Sequence, residues 1–227
     1  MRLDKYLADM SIGTRNEVKE YIRKGRVKVN GLPIKKADYK TKEGDVISFD
    51  DQQVNYLQYE YYLLNKPAGY LSATEDRYDP TVMELIKSKR KDLFPVGRLD
   101  KDTEGLLLIC NDGELNHQLL SPKSHVYKKY YVEVDKPLPE NAKEILEKPL
   151  DLGDFITQGG IYEAIDDHHA YLSIAEGKFH QVKRMFEKLD TKVIYLQRIE
   201  FGPLKLEDLP LGSYRPLTKE EISSLKS

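Results

Sequence analysis

The chain of 227 residues contains one cysteine, no tryptophan and no long apolar run. Because Cys110 stands alone, an internal disulfide is impossible and a metal site made only of cysteines is excluded. The longest wholly apolar run covers residues 106–110, far short of the roughly 20 residues that a membrane-spanning helix needs. We therefore expect a cytoplasmic protein that binds no membrane.

The net charge of −2 is distributed unevenly along the chain. Residues 1–42 contain twelve Lys and Arg against five acidic residues, so this segment carries +7 and the remainder −9. A basic segment can bind a polyanion even when the whole protein is slightly acidic. The composition, 40% hydrophobic and 33% charged, is that of a globular protein rather than a disordered one.

Local signals in the basic segment predict two short helices and a hairpin. Apolar residues recur at helical spacing from Leu3, and residues 14–17 (Thr-Arg-Asn-Glu) form a capping box that starts a second helix, which Gly25 ends. Residues 27–29 alternate as a strand does, and Asn30-Gly31 is a strong hairpin signal.

The rest of the chain reads mostly as strands with a few short helices. We predict a small domain over 1–50, a polar linker over 51–58 and a larger domain over 59–227. Within the larger domain we expect a helix from Pro80 to about Ser88 and a strand over roughly 155–164. Strands that follow one another without regular helices favour an α+β fold with a mixed, mainly antiparallel sheet.

The basic side chains of the first domain are candidate phosphate contacts, although a basic helix is often only a solvated surface. The candidates are Arg2, Arg15, Lys19, Arg23, Lys24, Arg26 and Lys28. Residues 1–50, with Arg2-Leu3-Asp4-Lys5, Thr14-Arg15, Val29-Asn30-Gly31 and Gly44-Asp45, resemble the S4 (αL-type) RNA-binding domain. This resemblance implies a structured RNA partner without naming a reaction.

A second pattern, residues 97–100 (Gly-Arg-Leu-Asp), is followed by Thr103, Gly105 and three leucines. Spacing alone does not distinguish Asp100 from Asp102, and an aspartate in this segment could equally belong to a surface turn. The pattern resembles the active-site motif of the pseudouridine synthases that carry an S4 domain and act on the small ribosomal subunit. The resemblance implies that Asp100 is the catalytic carboxylate and that Asp102 is structural.

Three further segments resemble the same family in the same order: residues 66–69 (Lys-Pro-Ala-Gly), 128–130 (Lys-Lys-Tyr) and 176–185. The resemblance implies that Tyr130 stacks on the uracil and that Lys183 forms an ion pair with Asp100. Arg184, the neighbour of Lys183 in the chain, is the alternative partner. The resemblance also supplies the remaining RNA-contact candidates, which are Arg98, Lys66, His180, Gln181 and Arg184.

The resemblance implies an enzyme that isomerises a uridine of 16S rRNA to pseudouridine without a metal or other cofactor. Its expected partner is ribosomal RNA, free or in an assembling small-subunit particle, and we expect a monomer. The alternatives are a 23S rRNA pseudouridine synthase and a non-catalytic ribosome-assembly factor. An S4-bearing methyltransferase is disfavoured because the sequence lacks a glycine-rich cofactor loop between a strand and a helix.

Overall fold

The structure, a computed structural model, describes residues 1–88, 90–121 and 124–227. It divides into two compact units. The first unit consists of Met1–Tyr59 with Lys87–Asp92, and the second consists of Glu60–Ile86 with Leu93–Ser227.

The first unit packs helices against a small antiparallel sheet. Its elements are α1 (Leu3–Asp9), α2 (Arg15–Arg23), β1 (Val27–Val29), β2 (Leu32–Pro33), β3 (Ile47–Phe49) and β4 (Gln52–Gln53). The strands lie in the order β2-β1-β3-β4. Apolar residues four positions apart on each helix face the same core. That core contains Leu3, Leu7, Val18, Ile22, Val27, Val29 and Ile47.

The local signals predicted for this unit are confirmed. The Thr14 hydroxyl accepts a hydrogen bond from the Glu17 amide at 3.3 Å, and the Thr14 amide donates to the Glu17 carboxylate at 2.7 Å. Asn30 and Gly31 have φ of 53° and 80°, the positive values that a tight hairpin turn requires.

Residues 51–58, which we expected to form a linker, pack within the first unit. Gln52 and Gln53 form β4 against β3. The Tyr56 hydroxyl donates to Asp9 at 3.1 Å, and the Tyr56 ring lies 5.0 Å from that of Tyr6. The polar composition of this stretch gave no sign of these contacts, because they join residues far apart in the chain.

The second unit is built on a mixed sheet. Its strands are β5 (Tyr61–Lys66), β6 (Phe94–Pro95), β7 (Glu104–Cys110), β8 (Lys128–Val134), β9 (Ile161–Ala164), β10 (His169–Ile174), β11 (Val193–Phe201), β12 (Leu204–Lys205) and β13 (Tyr214–Pro216). Its helices are α3 (Gly113–Leu120), α4 (Ala142–Leu146), α5 (Gln181–Glu187) and α6 (Lys219–Lys226), with a 3₁₀ turn at Val82–Leu85.

The main path of this sheet runs β13-β5-β7-β11-β8-β10-β9. Among the described residues the pairs are antiparallel except β7 with β11, so the predicted α+β fold with a mixed, mainly antiparallel sheet is confirmed. The β7 and β11 backbones approach closely at Gly105, where a Cβ would lie 2.2 Å from the Arg198 carbonyl oxygen. Only glycine fits this crossing.

Two elements are shorter than predicted. The helix expected from Pro80 is only the 3₁₀ turn at Val82–Leu85, because Ile86 returns to extended backbone. The strand expected over 155–164 is confined to Ile161–Ala164. Gly159 separates the two halves of that stretch with φ of +85° and passes so near the Glu147 carbonyl that a side chain would not fit.

Candidate active site

Asp100 lies in the loop between β6 and β7, which the core fixes in place. Leu99 is buried, and the Ser72 hydroxyl bonds both of its backbone groups, accepting from the amide at 3.0 Å and donating to the carbonyl at 2.9 Å. The Thr103 amide donates to the Asp100 carbonyl at 3.1 Å. Leu99 therefore anchors the loop, while the next side chain, that of Asp100, remains partly exposed.

Lys66, at the end of β5, stabilises the same loop from the protein interior. Its side chain is fully buried, and its Nζ donates to the carbonyl oxygens of Thr103 at 2.7 Å, Asp100 at 3.0 Å, Pro67 at 3.1 Å and Lys101 at 3.3 Å. Burial lowers the pKa of Lys66 to about 8. We expected an RNA contact at this position, but the ammonium group faces the protein interior and positions the Asp100 loop.

Two basic side chains, one on α5 and one just before it, face Asp100. Lys183 Nζ lies 3.5 Å from Asp100 Oδ2, and His180 Nε2 lies 3.6 Å from the same oxygen. Lys183 Nζ also donates to Asp102 Oδ1 at 2.6 Å. Partial burial favours the neutral form of Asp102, yet the hydrogen bond and charge of Lys183 lower the pKa of that carboxyl overall. Lys183 is thus shared between two carboxylates.

The loop before α5 is held by its own side chains. Gln181 is buried, its amide group donates to Glu176 at 2.7 Å, and its Oε1 accepts from the Lys178 amide at 3.1 Å. Arg184 pairs with Asp154 and donates to the Leu152 carbonyl, away from Asp100. Both residues were expected to contact RNA, but in this structure their polar groups bond to the protein.

Tyr130, on β8, is buried beneath Asp100's cleft and pairs across the sheet with Arg198 on β11. The Arg198 guanidinium is itself buried, with Nε donating to the Leu106 carbonyl at 2.7 Å and a side-chain hydrogen bond to Tyr130. Burial lowers the pKa of Arg198, an effect that Tyr130 opposes. Its Nη2 has no partner among the described residues.

Arg198 was absent from our predicted site residues. An arginine in an alternating strand gives no signal of burial, and the register that places it opposite Tyr130 is set by the fold.

A small, open cleft brings most of these groups together. Its polar lining includes the expected Arg98, Asp100, Tyr130, His180, Gln181 and Lys183, together with Thr103 and Lys178. Leu99, Ile174, Val182 and Leu196 supply apolar walls. The buried Thr103 hydroxyl has no hydrogen-bond partner in the described part of the chain. An ionisable carboxylate, cations and an aromatic ring thus share one concave surface.

The basic candidates of the first unit are distributed differently. Arg15 and Arg23 are exposed on α2, and Lys19 is half-buried on the same helix. Lys24, the residue that caps the C-terminus of α2, is exposed and pairs with Glu20 at 3.4 Å. Arg2 pairs with Asp4, Arg26 with Asp50, and Lys28 with Asp51. The charges of these last three residues are partly neutralised by their carboxylate partners, whereas Arg15, Lys19 and Arg23 on α2 form no ion pair with a carboxylate among the described residues.

Within residues 1–88, 90–121 and 124–227, no group of three or more His, Cys, Asp and Glu side chains could hold a metal ion. In the same ranges no helix is long and apolar enough to cross a bilayer.

Residues 60–188 match the family described as RNA pseudouridylate synthase, and residues 1–47 match the S4 domain. The chain belongs to the RNA pseudouridylate synthase family and carries an S4 domain, as its motifs predicted. It is an RNA pseudouridine synthase.

Full-length relatives agree with this assignment. A protein of Aquifex aeolicus named "Uncharacterized RNA pseudouridine synthase" is 42% identical over 231 residues, covering 100% of this chain and 96% of the relative. "Ribosomal small subunit pseudouridine synthase A" of Escherichia coli K12 is 36% identical over 99% of this chain and 100% of its own. A solved structure titled "Crystal structure of pseudouridylate synthase" matches with a TM-score of 0.71 and 36% identity, covering 99% of each chain.

Proposed function

We propose that this enzyme converts one uridine of 16S rRNA to pseudouridine, with Asp100 as its catalytic carboxylate. The observation that carries the proposal is the placement of Asp100. A buried leucine and a buried lysine fix its loop, while its carboxylate faces a cleft with Lys183 and His180 within 3.6 Å. Such preorganisation is what a carboxylate must have to act on one atom of a bound nucleotide.

The reaction breaks the bond between ribose C1′ and uracil N1, rotates the base and joins C1′ to C5. The C5 proton leaves and N1 gains a proton, so neither an oxidant nor an external energy source is required. Asp100 must be ionised, whether it attacks C1′, attacks C6 or removes a ribose proton. Each of these routes begins at the same carboxylate.

Lys183 carries the ammonium group that lies beside the Asp100 carboxylate, at 3.5 Å. Of the two candidate cations, Lys183 has its Nζ 3.5 Å from Asp100, whereas Arg184 pairs with Asp154. The additional hydrogen bond to Asp102 keeps the Lys183 ammonium beside the cleft. Lys183 is therefore the residue we assign to the ion pair.

We assign to Tyr130 the role of stacking on the uracil, an interaction worth roughly 1–3 kcal/mol for each base. Its buried ring lines the same cleft as Asp100, and Arg198 holds it from the neighbouring strand. Arg98 is exposed at the rim, next to Asp100 in the chain. The target nucleotide must leave its helix, because a stacked ribose is inaccessible to the carboxylate. We propose that the Arg98 side chain fills the space that this nucleotide vacates.

Two observations support ribosomal RNA of the small subunit as substrate. The first unit presents an exposed basic helix, which suits the phosphates of a folded RNA. The E. coli relative, similar over nearly its full length, is named for the small ribosomal subunit. We extend the proposal to assembling small-subunit particles as substrates.

The test measures tritium release from uridine labelled at C5. Transcripts of 16S and 23S rRNA, and partly assembled small-subunit particles, are incubated with the wild-type enzyme, and the product nucleoside is identified by mass spectrometry. We expect one equivalent released per 16S rRNA and none from 23S rRNA. Release from 23S rRNA alone would overturn the assigned substrate, and binding without release from any RNA would indicate an assembly factor.

A further inference from the structure

Phe179, immediately before His180, is an unusually exposed aromatic residue on the second unit. Its side chain is 74% exposed. Its ring lies parallel to that of His180, with centroids 3.8 Å apart and planes 16° from parallel. One face of the Phe179 ring is therefore covered by imidazole, and the other face is open.

The backbone that supports this pair is strained. His180 has φ of 50° and ψ of 29°, a left-handed conformation that costs a non-glycine side chain free energy. Backbone strain together with an exposed phenyl ring is costly for stability, and such features concentrate at functional sites. The strained His180 backbone and the exposed Phe179 ring together indicate that a ligand covers the ring.

The supporting loop is nevertheless well fixed. The buried Gln181 links the Lys178 amide to Glu176, and the Glu176 carboxylate accepts from the Gln158 amide at 3.2 Å. Arg184 donates to the Phe179 carbonyl at 3.4 Å. The Phe179 ring is thus presented from a preorganised loop.

The position of the pair identifies the kind of ligand. His180 lines the cleft and its Nε2 lies 3.6 Å from Asp100 Oδ2, so the Phe179 ring stacked on His180 lies beside the cleft of the target uridine rather than inside it. Lys178 and Lys183 place positive charge on the same rim. A flat, apolar face surrounded by cations suits a nucleobase attached to phosphates.

We propose that the Phe179–His180 pair is a stacking platform for a nucleobase that flanks the target uridine. This inference rests on the proposed function for its RNA substrate. When the uridine enters the cleft, its neighbour loses a stacking partner, and the open face of Phe179 replaces it. The contact of His180 with Asp100 links this platform to the reacting carboxylate, so a stacked neighbour also sets the position of the target ribose.

The absence of tryptophan from the chain provides a direct test. Phe179→Trp introduces a single tryptophan, whose fluorescence a stacked base quenches. The matched control is Tyr171→Trp on β10, because strand alternation places that side chain on the sheet face opposite Leu172 and the cleft. We expect a 16S rRNA transcript to quench the emission of Phe179→Trp by more than half while changing that of Tyr171→Trp little.

Phe179→Ala and Phe179→Leu separate stacking from simple apolar burial. Both variants should bind the transcript roughly 5- to 150-fold more weakly than wild type, because leucine restores volume without a flat ring. Unchanged emission of Phe179→Trp at saturating RNA, or wild-type affinity of Phe179→Ala, would overturn the platform. Wild-type enzyme that binds 16S rRNA without converting it would instead refute the proposed function, and the quenching result would still decide the platform.

Discussion

Replacing Lys66 with methionine should slow catalysis strongly and alter stability in a pH-dependent way. The variant keeps most of the buried aliphatic volume but loses the ammonium that bonds four carbonyl oxygens of the Asp100 loop and its surroundings. Without those bonds the loop can shift, and a displacement of about 1 Å at a catalytic group costs roughly 10²-fold in rate. We expect a reduction of that size in single-turnover tritium release.

The stability change follows from the lowered pKa. A buried carbonyl left without a donor costs about 1–3 kcal/mol. At neutral pH this cost is opposed by removal of a buried cation, whose pKa near 8 against 10.5 corresponds to about 3 kcal/mol. Because Lys66 bonds four carbonyl oxygens, the lost hydrogen bonds at least match this gain, so Lys66→Met should not raise the free energy of unfolding at pH 7.

At higher pH the difference in free energy of unfolding between wild type and Lys66→Met should grow. The unfolded chain holds the Lys66 proton more tightly than the folded chain does, so wild-type stability rises as pH passes from the folded toward the unfolded pKa. Between pH 7 and 9.5 the wild type should gain roughly 2 kcal/mol relative to Lys66→Met. Subtracting the free energy of unfolding of the variant from that of wild type cancels the contributions of the titratable groups that both proteins contain. One of these groups is Lys128, whose pKa burial also lowers to about 8.

Urea unfolding at a series of pH values measures this difference, with Lys148→Met as control. Lys148 is exposed on the surface and should show no such pH dependence. A wild-type-minus-variant difference that stays flat from pH 7 to 9.5, together with an unchanged single-turnover rate, would refute the reasoning about Lys66.

Two further predictions concern the β7–β11 crossing and the basic helix. Gly105→Ala should lower the free energy of unfolding, measured in urea, by roughly 3 kcal/mol or more. The control Gly153→Ala has a similar φ but open space around it, so it should cost only about 1–2 kcal/mol. Equal destabilisation by the two substitutions would contradict the steric argument. Replacing Arg15, Lys19 and Arg23 by glutamine should weaken RNA binding and reduce the slope of log affinity against log salt by about 0.7–0.9 for each phosphate that the variant no longer neutralises. An unchanged slope would remove α2 from the RNA interface.

Local features of the fold were predictable because they depend on neighbouring residues. The capping box that opens α2 uses side chains three positions apart, and the helix begins where that box predicted. The tight turn at Asn30 and Gly31 likewise forms where these two residues predicted it. Short-range chemistry was sufficient for these elements.

The candidate site was predictable only in part, because its arrangement depends on distant contacts. Lys183 and Arg184 are adjacent in the chain, and only the turn of α5 directs one to Asp100 and the other to Asp154. Lys66 and Gln181 belong to residue types that are usually exposed, yet both are buried as supports for loops. Periodicity in the sequence does not identify a polar side chain that donates a hydrogen bond to a carbonyl dozens of residues away.

The central claim is that the Asp100 carboxylate performs the chemistry, and Asp100→Asn tests it most directly. The amide keeps the size of the side chain, so affinity for 16S rRNA should stay within a few-fold of wild type. Single-turnover release of tritium from C5-labelled 16S rRNA should fall by at least about 10³-fold. An Asp100→Asn enzyme that binds this RNA and releases tritium at the wild-type rate would contradict the assigned role of Asp100.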